Sequence, residues 1–348
     1  MSDAQERQAL VELLSQYNVR VGQPGDEPLF TRQPVPRMRP CHWRWSDMIP
    51  LMEAIGANLK LEAGGIRRTL RLTNPGLPYG TTPTLWVSIQ YILPGEVASS
   101  HRHASTALRF IVKGEGCHTT VDGQRYPMSE GDLVLTPSWS WHDHEHFGDK
   151  PMIWLDVLDI SLVRSFDAVF FEGSEVPLRE VVEPGERGSL AFGSGIMRPR
   201  REYAGDDQSR LLAYPWPRAL EALEKAAELP GDPFEDTILE YIDPGTGGAA
   251  LRRIGTALQR LRPGVCCMPY RHTGSVVFHV VRGEGATIID GERIEWSTGD
   301  LVAIPSWSVR QFLNRSDTHD AIIFHVNDKP VLEQLGLYRE EAVAADQE

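Results

Sequence analysis

Two histidines one residue apart, His101 and His103, are followed further along the chain by Trp141-His142. At the end of an alternating run, positions i and i+2 of a strand put both imidazoles on one face. A third imidazole from a paired strand would give three neutral nitrogen ligands on one side of a metal ion. Three facial ligands leave open positions for a substrate and an oxidant, which suits non-heme iron oxygen chemistry. A lone histidine is more often a hydrogen-bonded core or loop residue. Here the spacing, with its surrounding glycines and proline, favours the metal.

The elements that must position these groups are written twice. Val112-Lys113-Gly114-Glu115-Gly116 returns as Val281-Arg282-Gly283-Glu284-Gly285, and Gly131-Asp132-Leu133-Val134 as Gly299-Asp300-Leu301-Val302. Pro137-Ser138-Trp139-Ser140 returns as Pro305-Ser306-Trp307-Ser308. The offset is 169 residues before the Asp122-Gly123 and Asp290-Gly291 pairs and 168 after them, so one domain has been duplicated. Short alternating runs such as 107–112 and 276–281, broken by Gly, Pro and Asp-Gly, predict an all-β sandwich or barrel in each copy. Helical spacing is confined to Asp3–Tyr17 and to Ala219–Leu229 between Pro217 and Pro230.

Composition narrows the partners. The 348 residues suffice for two sizeable cores. Lys plus Arg number 35 against 48 Asp plus Glu, a net charge of −13, which argues against nucleic acid or an anionic membrane. Cys41, Cys117, Cys266 and Cys267 show no Cys-x-x-Cys spacing, and the first residues show no basic-then-apolar secretory pattern. No apolar run is long enough to span a bilayer. A cytoplasmic setting is the expectation.

Gly95, five residues, His101-x-His103 and then Gly114 resembles the first motif of the cupin superfamily. Gly131, five residues, Pro137 and then His142 resembles the second. The resemblance covers both halves and implies a bicupin of two jelly-roll β-barrels with a helical N-terminal extension and linker. The domains are expected at 1–75 (N-terminal segment), 76–172 (metal-binding cupin), 173–250 (linker with some helix), 251–330 (second cupin) and 331–348 (tail). Where the cupin pattern usually carries a Glu ligand stands Ala107, so three histidines without a carboxylate are expected. Three neutral imidazoles leave the charge of a divalent ion uncompensated, which favours a dianionic chelate such as an aromatic ring with a carboxylate and an adjacent phenolate. Nitrogen ligands favour iron or another transition metal over magnesium or calcium, and zinc also fits three histidines.

Longer strings are similar to gentisate 1,2-dioxygenases and the related salicylate and 1-hydroxy-2-naphthoate 1,2-dioxygenases. They are residues 101–116, 135–144, Asn74-Pro75-Gly76-Leu77 and Met152-Ile153-Trp154-Leu155-Asp156. The resemblance implies Fe(II)-dependent cleavage of an aromatic ring between its carboxylated and adjacent hydroxylated carbons, both oxygen atoms being incorporated; for gentisate the product is maleylpyruvate. It implies iron ligands His101, His103 and His142, and a catalytic, substrate-binding Arg109 that grips the substrate carboxylate. It also implies a catalytic, substrate-binding His144, and pocket residues Arg67, Trp86 and Gln90. Ser88 replaces the family's usual glycine, which bears on pocket size and substrate range. Asp156 is expected to orient a ligand histidine or to serve core hydrogen bonding, and His146 to face solvent. A homo-oligomer, often a tetramer in this family, is implied.

The second copy is an internal control. His101 becomes Tyr270, His103 becomes His272 and His142 becomes Arg310, so no comparable metal is expected there. Gentisate is the leading substrate, with salicylate or 1-hydroxy-2-naphthoate the neighbouring alternative. A non-catalytic ligand-binding bicupin is the distant one.

Overall fold

Each Asp-Gly pair turns a hairpin in the computed structural model of the chain, which describes residues 3–22, 26, 28–59, 68–184, 187–197, 199 and 211–344. Val121 pairs with Gln124 across Asp122-Gly123, and Ile289 with Glu292 across Asp290-Gly291. All four turn residues have positive φ, between 46° and 85°. That is the mirror-image turn whose twist matches two flanking strands.

Each copy folds into two open sheets forming a jelly roll, not one hydrogen-bonded closed barrel. In the first, one sheet runs Thr69–Arg71, Trp86–Ile92, Met152–Leu158, Ala107–Lys113, Leu133–Thr136 and Ala213–Tyr214 in spatial order. The other runs Phe171–Gly173, Val97–His103, His142–His146, Glu115–Val121, Gln124–Ser129 and Glu183–Pro184. The second copy repeats the order with strands between Thr237 and Ala342, plus Cys41–Trp43, except that among the described residues its second sheet has five strands and no counterpart of Glu183–Pro184. The helix Asp3–Ser15 lies in a separate unit, residues 1–35. Among the described residues no helix is long and apolar enough to cross a membrane.

Register decides which side chains look inward. Ser88, Asp156, Arg109 and Val134 form one row across the first sheet, and Gln90, Trp154 and Ile111 the next. The opposite face carries Val87, Ile89, Leu108, Phe110, Leu155 and Val157, all buried. That apolar face shares one core with Leu258, Val277, Leu301, Ile322, Phe324 and Val326 of the second copy. Phe110 stacks on Phe324 with ring centroids 4.0 Å apart.

The two interiors differ in kind. Where the first has Arg109, Thr136 and His144, the second has Phe278, Ile304 and Phe312, which join Val276, Val280, Val302 and Ile323 in a core of their own. Each such apolar side chain contributes about 1.5–3 kcal/mol on burial. The first copy has polar side chains at these three places, and the opposite face of its sheet joins the shared sheet-on-sheet core.

The copies also exchange arms. Cys41–Trp43 pairs with Leu301–Ile304 of the second copy, and Ala213–Tyr214 pairs with Leu133–Thr136 of the first. Each arm continues into a helix, Trp45–Asn58 and Trp216–Ala226. The Trp45 N–H donates to Asp300 Oδ1 and the Trp216 N–H to Asp132 Oδ1, both at 2.8 Å. The repeated Gly-Asp pair thus places a carboxylate at a helix N-terminus, where partial positive charge welcomes it. Its glycine makes room for the indole. A Cβ would lie 2.5 Å from Trp216 at Gly131 and 2.3 Å from Trp45 at Gly299. The helix from Trp45 was not expected, because Pro50 inside it reads as a breaker.

Candidate metal centre

The strand Val97–His103 lies beside His142–His146 with His101 opposite His142. Ring centroids are 4.1 Å apart for His101 and His142, 4.9 Å for His103 and His142, and 5.4 Å for His101 and His103. One ring nitrogen from each lies within 4.8 Å of the other two. The other nitrogens are occupied by backbone carbonyls. His101 Nδ1 donates to the Ser99 carbonyl at 3.1 Å, His103 Nδ1 to that of Ser105 at 2.8 Å, and His142 Nδ1 to that of Ser140 at 3.0 Å. A carbonyl accepts only from N–H, so each imidazole is held with the proton on Nδ1 and the ligating lone pair on Nε2.

These residues fit a metal ion. His142 Nε2 is buried with no hydrogen-bond partner, an arrangement that is costly without a ligand. Burial first, then neighbouring His101, Arg109, His103 and His144, hold the His142 pKa well below the ordinary imidazole value, so the ring is a neutral donor. Three nitrogen donors suit a transition metal. Among the described residues no carboxylate joins the cluster. Ala107, at the usual acid position, is buried between Leu158 and Thr136.

Arg109 faces the cluster from the other sheet. It is fully buried, and its Nη1 donates to Thr136 Oγ1 at 2.7 Å. Its Nε stands 3.8 Å from Asp156 Oδ1, and neither of those two atoms makes a hydrogen bond. Burial pushes the guanidinium pKa down and Asp156 opposes the shift; an arginine remains charged at neutral pH regardless. The interior therefore holds a fixed cation with donor capacity to spare, beside three neutral metal donors. Asp156, considered as a partner for a ligand histidine, faces Arg109 instead.

His144 is buried on the same face as His142, with ring centroids 6.1 Å apart, and 5.5 Å from Trp154. Gln90 is buried in the row beside Trp154. Trp86 stands half-buried at the start of its strand, 4.4 Å from the Tyr79 ring, with Arg71 5.4 Å above it. Ser88 is buried and donates to the Asp156 carbonyl at 3.3 Å. Arg67 lies outside the described residues. Its neighbour Arg68 is buried and committed to Glu96, so Arg68 is a structural cation. His146, expected at the surface, is buried and bonded through Nε2 to the Lys150 carbonyl at 2.7 Å, because a following loop covers the strand end. Thr136 and Trp154 were not singled out in the sequence. Alternation from Val134 would have placed Thr136 inward beside Arg109.

At the equivalent place in the second copy, a guanidinium stands where a cation would. Arg310 is fully buried, and its Nη1 lies 2.7 Å from His272 Nε2, engaging the nitrogen that would otherwise ligate. Tyr270 donates to Glu235 Oε1 at 2.6 Å.

A cupin-domain family model matches residues 88–158 and 257–327. The chain is 38% identical to a gentisate 1,2-dioxygenase from Streptomyces sp, over 97% of this chain and 98% of that protein. It is 34% identical to a 5-aminosalicylate 1,2-dioxygenase from Comamonas sp, over 90% and 84%. Its fold is similar to the crystal structure of salicylate 1,2-dioxygenase from Pseudoaminobacter salicylatoxidans with gentisate. There the TM-score is 0.91 at 32% identity, covering 99% of this chain and 96% of that one.

Proposed function

The chain belongs to the gentisate 1,2-dioxygenase family of ring-cleaving cupin enzymes, and we propose that it cleaves gentisate to maleylpyruvate with Fe(II) held by His101, His103 and His142. One observation carries the reading. Three imidazoles with their Nδ1 protons committed to carbonyls converge opposite a buried arginine with an unused donor. Ferrous iron bound there supplies a redox-active Lewis acid with positions for a chelating substrate and for dioxygen.

The chain's own residues do the rest. Arg109 grips the substrate carboxylate through its planar donors, and Thr136 holds the guanidinium in place. That carboxylate and a ring phenolate bring the negative charge which three neutral ligands leave uncompensated. His144, pressed against Trp154, donates a hydrogen bond to the substrate or to the reacting oxygen. Trp86 and Gln90 line the ring pocket, to which the family resemblance also assigns Arg67. Ser88, where the family usually has glycine, narrows the pocket floor and favours a single ring. Four free thiols accord with a cytoplasmic enzyme. Exposed Phe166, Phe170 and Phe171 accord with a homo-oligomer, a tetramer in this reading.

Anaerobic loading with Fe(II), followed by oxygen uptake with gentisate, tests the proposal. Uptake no faster than in a His103→Ala control overturns the enzyme reading. Faster turnover of salicylate or 1-hydroxy-2-naphthoate than of gentisate overturns the substrate.

A further inference from the structure

Arg102 lies between the two ligand histidines, and alternation turns it to the outer face of their strand. Its guanidinium sits 4.5 Å from the Trp139 ring and 4.7 Å from the Trp141 ring. Nε and Nη2 both donate to Glu172 Oε2, at 2.9 and 2.6 Å. Glu172 belongs to the short strand Phe171–Gly173, which runs beside the ligands alone: Phe171 opposite His103, Glu172 opposite Arg102, Gly173 opposite His101.

The ligand strand needs that support. On its other edge the pairing with His142–His146 is irregular between Ala98 and His101. Such a break re-aims side chains and interrupts the ladder. Trp139 supplies a further tie: its N–H donates to the His103 carbonyl at 2.8 Å from a backbone with φ of 63°. A bulky residue adopts that left-handed conformation only when its surroundings impose it. Arg102 is stacked on the ring of that same residue.

The second copy keeps the device and only one of the three histidines, His272. Arg271 lies 4.7 Å over Trp307, donates through Nε to Glu341 at 2.7 Å, and stands opposite Glu341 in the ladder. Trp307 also has φ of 63° and donates to the His272 carbonyl at 2.8 Å. At the position of Trp141 stands Val309, so the second indole is special to the copy that holds the three histidines.

We propose that Arg102, clamped by Trp139, Trp141 and Glu172, is a positioning residue that sets the angle between His101 and His103 and hence the affinity of the metal centre. The proposal rests on the metal-centre reading above. Metal ligands must be held to within about 0.5 Å and 10–20°. Arg102 touches neither metal nor substrate and acts through the backbone between its two neighbours.

Full-length apoprotein is titrated with Co(II) against a chromophoric chelator, and the cobalt absorption bands and thermal unfolding are recorded. Arg102→Ala is compared with Arg271→Ala, which removes the same clamp from the copy without three histidines. Similar losses of thermal stability are expected from both. Only Arg102→Ala is expected to weaken Co(II) binding, by about tenfold, the scale seen when the groups supporting metal ligands are removed, and to shift the bands. Equal effects on cobalt from the two variants, or none from Arg102→Ala, overturn the proposal. Should Arg102→Ala fail to fold, Glu172→Gln against Glu341→Gln is read in the same way, with unchanged cobalt affinity and bands overturning it. Wild-type protein that takes up no cobalt overturns the metal-centre reading itself.

Discussion

Replacing Arg109 by Met should separate what this arginine does for the fold from what it does for the substrate. The side chain is fully buried, and Asp156 is its charged partner at 3.8 Å. Removing one member of a buried pair costs about 3–5 kcal/mol, because the other charge is left without a partner. The long separation and the 12% exposure of the Asp156 side chain put this site at the low end, about 3 kcal/mol. At roughly 2 °C per kcal/mol for a unit of this size, Tm should fall by about 6 °C. Adding Asp156→Asn removes the stranded carboxylate and should recover more than half of that loss. Catalysis should not follow. A charge-assisted hydrogen bond is worth about 1.5–3 kcal/mol, so kcat/KM for oxygen uptake should drop by about 10- to 100-fold for even one lost bond. It should stay there in the double variant. Thermal unfolding and oxygen-electrode kinetics on the same preparations read both quantities. A double variant that regains kcat/KM along with Tm would show that Arg109 serves the fold alone, and the assignment of the substrate carboxylate to it would be wrong.

Tyr270→His with Arg310→His rebuilds three histidines in the second copy. Bound metal by elemental analysis should rise from about one to about two per chain, and an unchanged ratio would count against Arg310 as the group that keeps that site closed. Asp300→Ala should destabilise by about 1–2 kcal/mol through the lost helix N-terminal carboxylate. It should exceed Asp132→Ala, because Asp300 also holds His42 at 2.9 Å; urea midpoints check the order. Burial holds the His279 imidazole down at about 4 and that of His325 at about 3. The unfolded chain takes up these protons first, near pH 6.5. Their contribution is therefore complete above pH 6.5 and is lost as pH falls towards 4, at about 1.4 kcal/mol per pH unit for each histidine. Urea midpoints between pH 7 and 5 should show His279→Asn lowering that slope by about one proton; an unchanged slope would place the titration elsewhere.

Local pattern carried much of this molecule and failed where partners are chosen at a distance. The His101-x-His103 spacing forces two imidazoles to one face, and the Gly and Pro positions after it fix how far the chain runs before His142. The duplication was legible because hairpin turns and the Gly-Asp pair tolerate few substitutions. Nothing local says that the Gly-Asp pair waits for an indole from the other copy, so the arm exchange was not legible. Pro50 hid a helix whose packing outweighs its propensity. Two adjacent arginines look alike until Glu96 claims Arg68. Arg310 could be seen to oppose a metal, but that it engages His272 directly needed coordinates.

The exchanged arms make this chain resemble a swapped dimer whose two protomers have been spliced into one polypeptide. Each half borrows an edge strand, anchored through Trp45 or Trp216 at the start of the helix that follows, and loses it when its neighbour is taken away. Expressed alone, either half would present a bare strand edge and an uncovered apolar sheet, the usual template for aggregation. Cleaved between residues 197 and 211 after folding, the pieces should stay together as a heterodimer. The protein is therefore a natural frame for split-fragment complementation, in which the metal centre forms only when both fragments are present.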